Sequence, residues 1–301
     1  MARTQNLSEY LTDIATAIKT KKGDETPINA SKFDEEIANL PTGEDIYEYW
    51  QEGYYGVSSI LTYPIVRFIK KIPPINTSGV SNMGNAFQYF ENISEIPEIN
   101  TSRVTKMSYM FSQCYNLKRI PLLDTTNVTD MSYMFRDCKE IEQINLTNTS
   151  KVTNMTQIFS GCEKLVNLNI NDFNTANVTQ ISYGFSSCKE LTNIPLLDFS
   201  KMIQVSAMFF IPEGAKITEL GGFKDLGKAY KTTSSANYGS YTLDLHYCTN
   251  LTHDSIMNVI NNLYDIATLG VQTQKLQLGE LVSLVTAEEI NIAVEKGFSV
   301  S

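Results

Sequence analysis

Four cysteines, Cys114, Cys138, Cys162 and Cys188, fall at one place in successive copies of a repeating pattern, and a fifth, Cys248, sits between the only two histidines, His246 and His253. Thiolate and imidazole are the common ligands of zinc and the nucleophile and base of thiol catalysis, so chemistry is sought here first. Their spacing argues against both. No Cys-x-x-Cys pair occurs, and His246, Cys248 and His253 match no standard zinc site. A cysteine repeated in phase is instead expected to be a small buried core residue, because free Cys is among the most buried residue types. The acidic run Asp34-Glu35-Glu36 reads as an exposed helix face, since nothing desolvates or orients it. No Gly-rich phosphate loop, nucleophile elbow or metalloprotease helix is present. The expectation is no catalytic residue, no metal and no cofactor. A cell-wall-modifying enzyme built on the acidic C-terminal unit is the weakest of the readings.

What positions the cysteines is a period of 24 residues. Val104, Met107, Met110, Phe111, Cys114, Leu117 and Ile120 are followed by Val128, Met131, Met134, Phe135, Cys138, Ile141 and Ile144, then by Val152, Met155, Ile158, Phe159, Cys162, Leu165 and Leu168. After a two-residue insertion near Asp172 and Phe173 the frame resumes at Val178 and runs through Phe185 and Cys188 to Ile194. Partial copies lie at both ends. Such a period signals a solenoid, in which each unit buries its apolar side only against its neighbours, so function is expected on a long surface and not in a pocket. Within a unit, Val-x-x-Met-x-x-Met-Phe predicts a short helical or 3₁₀ piece, and the Leu-x-x-Ile-x-Leu run predicts a short parallel strand. The fold class expected is an α/β solenoid, a leucine-rich-repeat-like right-handed stack with one parallel strand per turn.

Strand periodicity then nominates a surface. If Ile120 and Leu122 point inward, Arg119, Pro121 and Leu123 point outward. The equivalent outward sets are Gln143, Asn145 and Thr147, then Asn167, Asn169 and Asn171, then Asn193, Pro195 and Leu197. From these sets, Arg119, Gln143, Asn145, Asn167, Asn169, Asn171 and Asn193 are the candidate ligand-binding residues, a strip rich in amides that offer donors and acceptors to sugar hydroxyls. The plainer reading is ordinary solvated polarity. Between units, connectors such as Thr125-Thr126-Asn127 and Asn148-Thr149-Ser150 supply turn chemistry, and the Asn-x-Ser/Thr sequons they create are read as such.

Four regions are expected. Residues 1–42 form a helical attachment module, 43–79 a linker and aromatic-rich cap, 80–220 the repeats, and 221–301 a leucine-rich capping unit. The cap contains Tyr49, Trp50, Tyr54 and Tyr55, which could stack on sugars but more simply cover an open core end. A net charge of −9 disfavours nucleic acid, which needs a basic stripe. The opening residues form no signal peptide and no stretch approaches a spanning helix, so no membrane insertion is expected.

The block Val128-Thr129-Asp130-Met131-Ser132-Tyr133-Met134-Phe135-x-x-Cys138 resembles the BspA-like leucine-rich repeats of bacterial surface proteins and of phage proteins. Two flanks, from Leu7 through Gly23 to Ile37 and from Leu276 to Phe298, are similar to the ends of phage tail-associated repeat proteins. The resemblance implies recognition of a host surface by the repeats, without defining a ligand. The function expected is that of a non-enzymatic virion protein of tail or baseplate, made in the host cytoplasm. Its partners would be other virion proteins, through the N-terminal module, and a host glycan or protein; self-association is compatible with the pattern. The alternative is a bacterial cell-surface adhesin.

Overall fold

The computed structural model describes residues 70–72, 77–170, 173–203, 205–212, 214–228, 242–269, 271 and 273–301. The N-terminal module and the aromatic patch of Tyr49, Trp50, Tyr54 and Tyr55 lie outside them, as does Asn171.

In the repeats, residues 24 apart lie side by side. Parallel bridges link Asn82 to Lys106, Lys106 to Asp130, Asp130 to Asn154 and Asn154 to Gln180. A second edge carries strands β1 (Gln143–Leu146) and β2 (Asn167–Ile170), paired in parallel with Gln143 opposite Asn167 and Asn145 opposite Asn169. Beyond them the strand splits: β3 (Asn193–Ile194) pairs with β5 (Glu219–Leu220), and β4 (Leu197–Asp198) with β6 (Phe223–Lys224). The split falls at Pro195, which has no N–H to give a ladder. Pro121 has the same effect, leaving this edge of its turn, among the described residues, only the bridges of Arg119 to Glu95 and Leu123 to Leu146.

The Val-x-x-Met-x-x-Met-Phe segments differ from the expected helical piece. Met110, Ser112 and Cys114 donate back to the carbonyls of Met107, Tyr109 and Phe111, each at 3.1 Å, which makes three overlapping β-turns. The intervening Met107, Tyr109, Phe111 and Gln113 donate across to Asp130, Ser132, Met134 and Arg136 of the next turn, at 2.7–2.9 Å. Half the amides therefore serve the turn and half its neighbour, whereas a helix would keep all of them. Left-handed backbone at every fourth residue prevents helical winding: φ is +58° at Tyr109 and +63° at Gln113, and +60° at both Tyr133 and Asp137. Apolar side chains recur every third residue because each turn brings the next one back to the axis.

Those side chains form unbroken columns. Phe87, Phe111, Phe135, Phe159, Phe185 and Phe209 stack with ring centroids 5.5–6.0 Å apart, and all are buried. Each of the four repeat cysteines donates its thiol to a carbonyl of the preceding turn, Cys138 to Phe111 at 3.1 Å and Cys162 to Phe135 at 3.1 Å.

A polar column runs through the same interior. Thr77, Thr101, Thr125, Thr149 and Thr175 are buried, and their hydroxyls peg successive turns together. Thr149 Oγ1 donates to Asn174 O at 2.9 Å and accepts from Asn174 N at 2.8 Å. Thr175 does the same with Asp198, at 3.1 and 2.7 Å.

The C-terminal part continues the register. Strands β7 (Thr242–Asp244), β8 (Gln274–Gln277) and β9 (Phe298–Val300) form a parallel sheet in that order. Helix α1 (His253–Asn261) is capped by Thr252, and α2 (Ala287–Glu295) opens with a capping box of Thr286 and Glu289. Tyr264 N donates to Leu226 O at 2.9 Å, and buried Ser255 Oγ donates to Thr218 O at 3.2 Å, which joins this unit to the last repeats. Among the described residues no helix is long and apolar enough to cross a membrane.

Candidate functional site

The candidate strip lies on the outer side of β1, β2 and β3. Ile144 and Leu146 are buried while Gln143 is exposed and Asn145 half-buried, the alternation a strand with one core face must show. Arg119, Gln143, Asn167 and Asn193 are exposed at equivalent positions of four successive turns. Glu219 extends the row by one turn, and Asn193 Nδ2 donates to its Oε2 at 3.0 Å. Asn169 is in register with Asn145; its side chain, like Asn171, is outside the described residues.

Expectations at this edge are reversed at several positions. Pro121, Leu123 and Leu197, expected outward, are buried, whereas Leu122, expected inward, is 56% exposed and Leu196 is 51% exposed. Period two holds only along a continuous strand, and Pro121 and Pro195 break it, so the chain turns over by one residue. Leucine thus flanks the amides on the outer face, a feature the alternation rule alone assigns to the wrong residues.

Around the strip the surface is tied turn to turn. Lys164 pairs with Glu140 at 2.8 Å, Lys189 with Glu163 at 3.0 Å and Lys216 with Glu190 at 2.6 Å. The sequon asparagines are engaged too. Asn127 Nδ2 donates to Ser102 O at 2.9 Å and Asn177 Nδ2 to Ser150 O at 2.7 Å, while Lys151 and Lys201 donate to their carbonyl oxygens.

The repeat cysteines stack in one buried column, while Cys248 and both histidines lie in the C-terminal unit. Cys114, Cys138, Cys162 and Cys188 are buried, and burial pushes each thiol well up; that of Cys248 is pushed up to about 12. His246 Nδ1 is held by Asp244. His253 Nε2 lies 3.0 Å from Glu289 Oε1, across the gap between α1 and α2. Among the described residues no group of three or more His, Cys, Asp or Glu side chains could hold a metal ion.

This turn-by-turn arrangement is matched by a family model described as "Mycoplasma protein of unknown function, DUF285", over residues 61–143 and 114–216, together more than half of the chain. The chain belongs to that family. The DUF285 match covers the stacked turns and ends close to where the C-terminal unit begins. No curated protein and no solved structure matches the chain.

The Thr column escaped sequence reasoning, although it is visible in Thr101, Thr125, Thr149 and Thr175 standing three residues before each Val of the repeat. So did the tyrosines at the left-handed positions, which the motif presents as ordinary members of a helical run.

Proposed function

We propose that this chain is a non-enzymatic phage virion protein, of tail or baseplate, whose DUF285 turns form a right-handed α/β solenoid that displays a surface for recognising the host cell. The observation that carries this reading is the row of exposed Arg119, Gln143, Asn167 and Asn193, one per turn on a hydrogen-bonded frame. Rows of donors and acceptors at a fixed pitch suit an extended ligand such as a cell-surface glycan or a protein edge. Residues 1–42 would dock onto other virion proteins, as the flanking resemblance implies. No cofactor takes part.

Immunogold labelling of purified virions tests the location, with label on the tail expected and unlabelled particles overturning it. Replacing Asn145, Asn169 and Asn193 together by Ala should weaken cell binding by about tenfold or more if each loses a net hydrogen bond. Unchanged binding would rule out the amides. The second reading, a bacterial cell-surface protein, is favoured by the family's description as a Mycoplasma protein; label on intact cells of an uninfected producer would select it.

A further inference from the structure

On the turn face, away from the strands, one column has left-handed backbone at every copy: Asn85, Tyr109, Tyr133, Gln157, Tyr183 and Ala207, with φ between +51° and +60°. Asn fits this conformation cheaply; Tyr does not. Three tyrosines therefore stand where the backbone does not ask for them, nor does the core, since Tyr183 is 42% exposed. The rungs are consecutive. Tyr109, Tyr133, Gln157 and Tyr183 donate their N–H groups to Ser132, Thr156, Ser182 and Ser206 at 2.8–2.9 Å.

Tyr109 and Tyr133 stack with centroids 4.4 Å apart and planes within 5°. At the next rung Gln157 interrupts the stack. Tyr133 and Tyr183 are thus two rungs apart, about 10 Å at the usual spacing of paired backbones, which leaves room between them for one ring stacked on each wall. On the rung between them, Gln157 offers an amide donor and acceptor on a flexible stem. Arg136 lies over the Tyr133 ring, 5.9 Å from its centroid.

We infer that Tyr133, Gln157 and Tyr183 form a slot for a single pyranose ring of a glycan. Aromatic walls take the ring's C–H faces, while the Gln157 amide takes its hydroxyls. A purely aromatic insert would leave that amide without a partner. The inference does not rest on the strand-face reading and could hold if that failed.

The test is saturation-transfer NMR on the full chain with the methyl glycosides of glucose, galactose and N-acetylglucosamine. Transfer to the ring C–H protons of at least one is expected. Gln157→Tyr adds a third ring at a position whose backbone already accepts Tyr, so it should keep the melting temperature and raise Kd about tenfold or more by filling the slot. Tyr183→Ala should weaken binding comparably by removing a wall. The strand-face triple Ala variant should bind the glycoside normally. No transfer from any of the three, or undiminished transfer in folded Gln157→Tyr, overturns the slot; loss only in the strand-face variant assigns the sugar to the other face.

Discussion

At the residue scale, the interior is held by groups whose partners lie one turn away. Thr149 shows this most simply, because its hydroxyl both gives to and takes from the backbone of Asn174. Thr149→Val keeps the shape but strands a buried N–H and C=O, so it should cost about 1–3 kcal/mol in urea unfolding. Gly161 stands at the left-handed position that Gln113, Asp137 and Ser187 fill in other copies: its φ is +78°, and a Cβ there would lie 2.4 Å from Asp137 Oδ1. Gly161→Ala should destabilise by about 1–2 kcal/mol or more, from the left-handed backbone alone. The cysteine thiols, pushed up by burial, should resist a thiol reagent at mildly alkaline pH until the chain unfolds. Labelling that outruns unfolding would show the column to be open.

At the element scale, the apolar spacing of three reads equally as one face of a helix or as a chain of turns. Nothing local decides between them. The choice is made across the stack, where half the amides find carbonyls in the next turn and left-handed residues stop the winding. For that reason the period, the core columns and the amide row are legible in the sequence, while the turn geometry, the threonine pegs and the flip at Pro121 and Pro195 are not. The C-terminal helices are more conventional, since Thr252 and Thr286 stand as N-caps before apolar runs. Their contact should respond to pH on both sides. Thr286 N–H and then His253 hold Glu289 below the usual carboxylate range, so its contribution is lost as pH falls through that lowered value. Hydrogen bonds from His253 to Glu289 and then Asp254 raise the imidazole, so its contribution is lost as pH rises through the raised value. The melting temperature should be highest between the ordinary carboxylate and imidazole values. His253→Gln should flatten the alkaline limb without removing the acid limb contributed by the Thr286 N–H.

At the scale of the whole molecule, stability is a sum over neighbouring turns. Removing residues 128–151 joins Asn127 to Val152 in frame, and the shortened chain should still unfold cooperatively with a smaller denaturant slope. Removing one residue fewer leaves one extra residue at the junction and should destabilise the chain further, because the pegs and thiols that cross that junction would be displaced. The same register has a genetic side. A recombination slip between copies of the coding repeat deletes or inserts whole turns, so the molecule's reach changes by about 4.8 Å per event while its interior rules stay the same. Length is then inherited almost separately from fold, and individual lineages can differ in span before they differ in any exposed residue.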